Sequence, residues 1–328
     1  MACTTLAARP GERLRLLVES VRTEAEGIKR FELVSPDRGV LPPFEAGAHI
    51  DVQTPAGLVR QYSLLNDDRE RHRYVIAVLR DSAGRGGSVA MHDAVHAGMQ
   101  LTIGQPRNAF ALDESTAPAV LVAGGIGVTP LLSMARKLWW QGRGFRMHLA
   151  TRSAARTPFP KEIGESAFAH RVFLHHDDGP PASRLDVGRL ADGLPPNAHL
   201  YLCGPAGFME AVAGAAGRRA DVIVHTEFFA SPAARDEGGG AFELRLARSG
   251  TAMVVPRGVS ILEMLQRHGS DVPTSCEQGI CGTCMTTVLD GEVEHRDHFL
   301  SAREKACGNR MLVCVSRGRP GTTLTVDL

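Results

Sequence analysis

Cys276, Cys281, Cys284 and Cys314 stand in the pattern C-x4-C-x2-C-x29-C, the spacing with which a chain holds one plant-type [2Fe-2S] cluster. Three of the four come from a single loop, SCEQGICGTC, and thiolates converging on a small cluster from so short a segment need unusual backbone angles. Gly279 and Gly282 supply them. Amides of the same loop can then point at the cluster sulfurs and help set its potential. A zinc site would normally use two CxxC pairs or a Cys/His mixture, whereas only Cys281 and Cys284 form a CxxC here. Cys307 lies in the charged stretch AREKACGNR and Cys314 in the apolar run MLVCV, so Cys314 is the expected fourth ligand and Cys307 incidental. With Cys3 and Cys203 the chain has seven cysteines. An odd number, five of them crowded near the C-terminus, fits a disulfide framework poorly.

At 328 residues the chain exceeds what one core usually organises. Its pattern changes style along its length. Residues 14–112 carry short strand-like segments, among them Leu14–Val18, His49–Val52 and Tyr74–Leu79, punctuated by Pro and Gly. That spacing predicts an antiparallel β-barrel over 1–113. From Pro118 to Phe229, apolar runs alternate with helix-like segments. Val120–Ala123, Met147–Ala150, Val172–His175, Leu200–Cys203 and Val222–His225 are the expected strands of a mainly parallel sheet, giving an α/β domain over 114–230. SPAARDEGGG, residues 231–240, has linker composition. The remainder, 241–328, combines a hairpin-like pair, Phe242–Leu246 and Met253–Val255, a helix over Ile261–His268 and the cysteine loop. It is expected to be an α+β ferredoxin domain of β-grasp type.

Lys and Arg number 37 against 36 Asp and Glu, so no global field draws the protein to nucleic acid or to an anionic membrane. The uncharged window Ser115–Ala135 has the length of a membrane span, but Pro118, Gly124, Gly125, Gly127 and Pro130 divide it into a strand, a turn and a helix start. Arg9, Glu12, Arg13 and Arg15 interrupt the N-terminus before a long apolar run forms, so no secretory signal is expected. A cytoplasmic location is the expectation.

Two further constellations carry chemistry. Arg60, Gln61, Tyr62 and Ser63 lie at a strand end, where a flavin mononucleotide would find a cation for its phosphate, an aromatic beside its ring and a small donor near N5. Gly86, Gly87 and Ser88 precede an expected helix over Val89–Val95, whose free amides and dipole would hold a phosphate. Taken singly, Tyr62 is better explained by a half-buried strand aromatic and Ser88 by a helix N-cap. His92 and His96, four apart on that helix, have no acidic partner or third ligand in the pattern and are not expected to bind metal. Farther on, AVLVAGGIGVTP places Gly124, Gly125 and Gly127 between a strand and a helix that Thr129 is expected to cap and Pro130 to open. HLYLCGP repeats the strand-turn-helix form with Cys203, Gly204 and Pro205. Both turns would meet at the carboxyl ends of parallel strands, where dinucleotides bind. Cys203 would then sit beside the nicotinamide, or serve simply as a small buried hydrophobe.

In this order, RQYSL, GRGGS, GGIGVTP, YLCGP, SCEQGICGTC and MLVCVSR resemble the phthalate dioxygenase reductase and vanillate O-demethylase reductase family over nearly the whole chain. The resemblance implies FMN, NADH as donor and a Rieske-type oxygenase as acceptor, in aromatic catabolism. It implies that Arg60, Gln61, Tyr62, Ser63 and the turn Arg85, Gly86, Gly87 and Ser88 bind FMN. On the nicotinamide side it implies Gly125, Gly127, Thr129, Cys203, Gly204 and Pro205. Glu227 and Phe229 match the Glu-x-Phe that closes the family's NAD domain near the flavin, so Ser63, Cys203 and Glu227 are the expected catalytic set. Two departures stand out. Thr226 occupies the place of a frequent aromatic, with Phe228 after the Glu, and TRSAART offers Arg152, Ser153 and Arg156 where some relatives carry an acidic residue. Two arginines and a serine suit a 2′-phosphate, which keeps NADPH open beside NADH.

The expected mechanism is hydride transfer from the nicotinamide to flavin N5, followed by single-electron transfer to the cluster and to the partner's Rieske centre, a step downhill in potential. The rival readings are a stand-alone NAD(P)H oxidoreductase acting on small acceptors such as ferric chelates, and a redox sensor without turnover.

Overall fold

Alternating apolar residues in the first third of the chain build strands with one buried face. In β1 (Leu14–Ala25) Leu16 and Val18 are buried, and in β2 (Ile28–Val34) Phe31 and Leu33 are. Four further strands, β3 (His49–Gln53), β4 (Val59–Ser63), β5 (Arg73–Leu79) and β6 (Gln100–Ile103), complete a sheet in the order β4-β3-β6-β1-β2-β5. Every pairing in it is antiparallel. Helix α1 (Gly87–Ala94) lies between β5 and β6 in the chain. This is a computed structural model that describes residues 13–229 and 240–328. Cys3 and the expected linker, except Gly240, fall outside the described residues.

The second sheet is parallel throughout: β7 (Ala119–Gly124), β8 (Phe145–Thr151), β9 (Val172–His176), β10 (His199–Cys203) and β11 (Ile223–Glu227), in the order β11-β10-β7-β8-β9. The order reverses between β7 and β10, which makes their carboxyl ends a topological switch point. The crossovers are α2 (Val128–Trp140), α3 (Pro160–Gly164), α4 (Val187–Asp192) and α5 (Ala206–Ala216).

One apolar cluster joins the two sheets. Strand β5 is buried on both faces: Tyr74, Ile76 and Val78 fill the core of the first sheet, while Val75 and Ala77 pack in a cluster with Leu121 of β7 and Leu131 and Leu132 of α2. Double burial explains why YVIAVL is a continuous apolar run and not an alternating one. Residues Met1–Phe229 accordingly form one compact unit and Ala230–Leu328 another.

The second unit has its own core around Leu244, Leu265, Met311 and Leu324. Its strands β12 (Phe242–Leu246), β13 (Ala252–Val255), β14 (Met285–Asp290), β16 (Arg310–Leu312) and β18 (Thr323–Val326) run β13-β12-β18-β14-β16, and β15 (Val293–Glu294) pairs with β17 (Arg317–Gly318). β12 and β18 are parallel, whereas β13, β14 and β16 join antiparallel. Helix α6 (Ile261–Arg267) supplies Ile261, Leu262, Met264 and Leu265 to the core, and α7 (Ala302–Cys307) opens on a capping box between Ser301 and Glu304.

Helix starts differ from the sequence expectation. α1 begins at Gly87 with Gly86 as N-cap, so Gly87 and Ser88 lie inside the first turn, and the Ser88 hydroxyl exchanges hydrogen bonds with the backbone of Asp81 instead of capping. α2 begins at Val128 after a 3-10 turn over Gly125–Gly127. Thr129 is therefore not the cap, and its hydroxyl donates back to the carbonyl of Ile126 at 3.1 Å. Pro130 sits in the first turn, where its missing N–H leaves no intrahelical bond unmade. Among the described residues no helix is long and apolar enough to cross a membrane.

Candidate functional site

The four expected ligands come together in the second unit. Cys276, Cys284 and Cys314 are buried and Cys281 is partly so, whereas Cys307 is exposed at the end of α7. The thiols meet in two pairs. A hydrogen bond from Cys276 holds the Cys281 thiol down to about 5, and the same bond with burial pushes Cys276 up. Cys314 does likewise to Cys284, lowering its partner and rising itself. Main-chain N–H groups face the sulfurs: that of Gln278 lies 3.3 Å from Cys276 Sγ, and those of Ile280, Thr283 and Gly279 bond Cys276, Cys281 and Cys314. Among the described residues no group of three or more His, Cys, Asp or Glu side chains forms a site for a single metal ion. Two thiol pairs ringed by amides fit a two-iron cluster, which takes four cysteines.

The loop needs its glycines for a stated reason. Gly279 has φ +71°, and a Cβ there would stand 2.6 Å from Val315 and 3.1 Å from the Asp297 backbone. Gly282 has φ +73°, and its Cβ would enter the ring of Phe299 at 2.4 Å. Asp297 is a support that the sequence reading missed. Its buried carboxylate accepts from the Leu300 amide at 2.8 Å and from Ser316 at 3.3 Å, while the next residue, His298, donates its amide to the Gly279 carbonyl at 2.9 Å. The signal available was an Asp between two basic residues just before the apolar pair Phe299 and Leu300.

In the first unit, the strand β4 residues and the α1 turn converge. Arg60 packs against Gly87, whose hypothetical Cβ would meet the arginine side chain at 2.9 Å. Gly86 holds φ +87° as N-cap, and Arg85 is exposed in the turn before it. A guanidinium beside a helix N-terminus suits a phosphate. The Tyr62 hydroxyl is buried with no hydrogen-bond partner, and burial pushes the phenol up. An unfilled phenol beside that cation fits a bound ribityl phosphate. Gln61 is turned toward β3, where its amide donates to Asp51 at 3.2 Å and meets buried His49, held down to about 4 by desolvation, at 3.3 Å. His92 is buried and bonds the Val78 carbonyl at 2.8 Å, and His96 is exposed, so the pair shares no ligand geometry.

The nucleotide turns meet where β7 and β10 end. Gly127 lies so close to β10 that a Cβ would stand 2.3 Å from the Cys203 carbonyl oxygen and 2.8 Å from the Gly204 nitrogen. Gly204 in turn approaches Gly124, with 2.9 Å left for a Cβ. Phe208 and Pro205 cover Gly124 from the other side, and Phe208 is a second residue that the sequence reading did not single out. Gly125 takes φ +55°. Parallel register sets Cys203 beside Glu227, and Ser63 of the first sheet reaches Glu227 Oε2 at 3.5 Å. The three expected catalytic residues thus come together. Burial pushes the Glu227 carboxyl up to about 8, and burial followed by the neighbouring Glu227 pushes the Cys203 thiol up. Burial thus favours the protonated carboxyl and thiol, which can offer hydrogen bonds without a fixed negative charge. Phe229 is partly buried against the cluster that joins the two sheets, and Phe228 packs on the opposite side of the parallel sheet.

Three outcomes follow from this geometry. Cys314→Ser should lower iron from about two per chain and bleach the visible cluster absorbance, while Cys307→Ser should leave both intact; equal iron loss in the two variants would move the fourth ligand. Gly127→Ala forces a methyl into rigid backbone and should cost about 1–3 kcal/mol of stability, read as a lowered midpoint in denaturant. Glu227 is bound to its proton more tightly when folded than when unfolded, so its burial costs little below pH 4.5 and progressively more as pH rises toward 8. In flavin-free protein, Glu227→Gln should therefore raise Tm more at pH 9 than at pH 5, and an equal rise at both would show that the carboxyl is not held neutral.

Residues 244–318 match the family described as the 2Fe-2S iron-sulfur cluster binding domain. The phthalate dioxygenase reductase of Burkholderia cepacia is 43% identical, with 96% of this chain and 97% of that protein covered. The vanillate O-demethylase oxidoreductase of a Pseudomonas species is 41% identical over 96% of this chain and 100% of its own length. The solved structure of a phthalate dioxygenase reductase, described as modular for electron transfer from pyridine nucleotides to [2Fe-2S], superposes with a TM-score of 0.76 at 42% identity, covering 96% of this chain and 98% of that one. On this likeness along its whole length, the chain belongs to the family of phthalate dioxygenase reductases and vanillate O-demethylase oxidoreductases.

Proposed function

We propose that this protein is the reductase component of a two-component Rieske-type oxygenase, carrying electrons from NADH through FMN and a [2Fe-2S] cluster to the oxygenase, in the cytoplasm. One observation carries the reading. A single chain holds two thiol pairs suited to a one-electron centre and, in its other unit, a neutral hydroxyl, carboxyl and thiol gathered at the switch point of a parallel sheet.

The finer architecture belongs to the same proposal. Residues 1–113 are read as an FMN-binding β-barrel domain, 114–230 as an NAD-binding α/β domain, 231–240 as a linker and 241–328 as a β-grasp ferredoxin domain. The six-stranded antiparallel order, the reversal between β7 and β10 and the parallel β12–β18 pair flanked by antiparallel strands support those readings.

Bound FMN would supply the conversion of one hydride's electron pair into single electrons. This chain's residues hold and surround it. Arg60 and the amides at Arg85 to Ser88 would hold the phosphate, Gln61 fixes β4 to β3, and Tyr62 would supply an aromatic beside the flavin. Ser63 donates toward the redox edge. Glu227, whose proton burial favours, would stand with Phe229 beside the nicotinamide, and Cys203, fully buried, would pack next to Glu227. Gly125, Gly127, Thr129, Gly204 and Pro205 let the dinucleotide come close to the backbone. Cys276, Cys281, Cys284 and Cys314 hold the cluster, and their amide-rich loop sets its potential.

The separation of inlet from outlet is testable. Cys281→Ser, once shown to retain FMN, should still reduce ferricyanide with NADH but should fail to support product formation by the cognate oxygenase. Undiminished product would mean that electrons leave directly from the flavin.

A further inference from the structure

Discrimination between NADH and NADPH is made where the second strand of a dinucleotide-binding sheet ends, by whatever faces the ribose 2′ position. Here that strand is β8, which ends at Thr151 and runs into Arg152, Ser153 and a 3-10 turn over Ala154–Arg156. Two guanidiniums this close would suit a 2′-phosphate, but they are not equally placed. Arg156 Nη2 lies 2.6 Å from Glu26 Oε1. The Glu26 amide also donates to the Ala155 carbonyl at 2.9 Å, so main chain and side chain together tie this loop to the turn between β1 and β2. On the other flank, the amides of Asp177 and Asp178 donate to the carbonyls of Thr151 and Arg152, each at 3.0 Å, which brings two exposed carboxylates to the end of β9 beside Arg152.

We propose that Glu26 is a specificity-determining residue: by holding Arg156 in an ion pair it withholds that guanidinium from a ribose 2′-phosphate and favours NADH over NADPH. The inference rests on the assignment of the nicotinamide dinucleotide to the ends of β7 and β10. A 2′-phosphate brings nearly two negative charges and needs a free cation in reach. Arg156 is engaged, and Arg152, the other guanidinium of the loop, has the exposed carboxylates of Asp177 and Asp178 beside it at the end of β9, which oppose a second anion there. The pair is half exposed, at 45% for Arg156 and 58% for Glu26, so its release shifts the balance modestly.

The experiment uses the full protein with its flavin and cluster. Ferricyanide reduction is measured with NADH and with NADPH, and binding of adenosine 2′,5′-bisphosphate and of 5′-AMP is measured by calorimetry. In E26Q, kcat/KM for NADPH should rise roughly two- to five-fold with that for NADH unchanged, and the bisphosphate should bind more tightly by a similar factor while 5′-AMP does not. Adding R156A to E26Q should abolish both gains. An unchanged NADPH-to-NADH ratio in E26Q, a gain that survives without Arg156, or a wild-type preference for NADPH overturns the role given to Glu26. Failure of the wild type to oxidise either nucleotide overturns the dinucleotide assignment beneath it.

Discussion

Two backbones in near contact organise the first unit. Gly127 can lie against the Cys203 carbonyl, and Gly204 against Gly124, only because neither carries a Cβ. That approach lets β7 and β10 run side by side to their very ends. Cys203 then stands beside Glu227, and Glu227 within reach of Ser63 on the other sheet. A wider separation would admit water at this point and weaken the burial that favours the protonated carboxyl. The glycines thus bear on the carboxyl at one remove, through the dielectric of the place that they allow to close.

The second unit solves a different problem, that of gathering four mutually repelling thiolates. Its means are positive φ at Gly279 and Gly282, a buried carboxylate at Asp297 and amides directed at sulfur. Glu277 also takes a positive φ, +54°, an uncommon conformation for a residue with a Cβ. Backbone held in this way fixes donor positions before iron arrives, and the thiols of each pair already lie within hydrogen-bond reach.

Much of this was legible in the sequence because the signals were local. Cysteine spacing singled out the four thiols that meet and set Cys307 aside. Apolar runs alternating with helix-like segments marked all five strands of the parallel sheet within a residue or two. What escaped were features that depend on distant partners. Helix starts at Gly87 and Val128 precede the expected caps, because each glycine turn is itself the first turn of a helix. Asp297 and Phe208 gain their roles only from what they touch, and no periodicity reports that. Arg156 read as a nucleotide ligand from the loop alone, and its partner Glu26 lies far off in sequence, in the turn between β1 and β2.

The cluster of Leu65, Val75, Ala77, Phe110 and Leu131 has a bearing on how such a chain can be rearranged in evolution. Because β5 is buried on both faces, a cut after residue 113 would bare a sheet face whose side chains are each worth about 1.5–3 kcal/mol to bury. The two sheets of the first unit are thus heritable only together. The iron–sulfur unit closes its own core and is one contiguous segment of the chain. Gene fusion and fission at its boundary would leave each unit's own core whole, which makes the iron–sulfur unit the exchangeable part of the molecule.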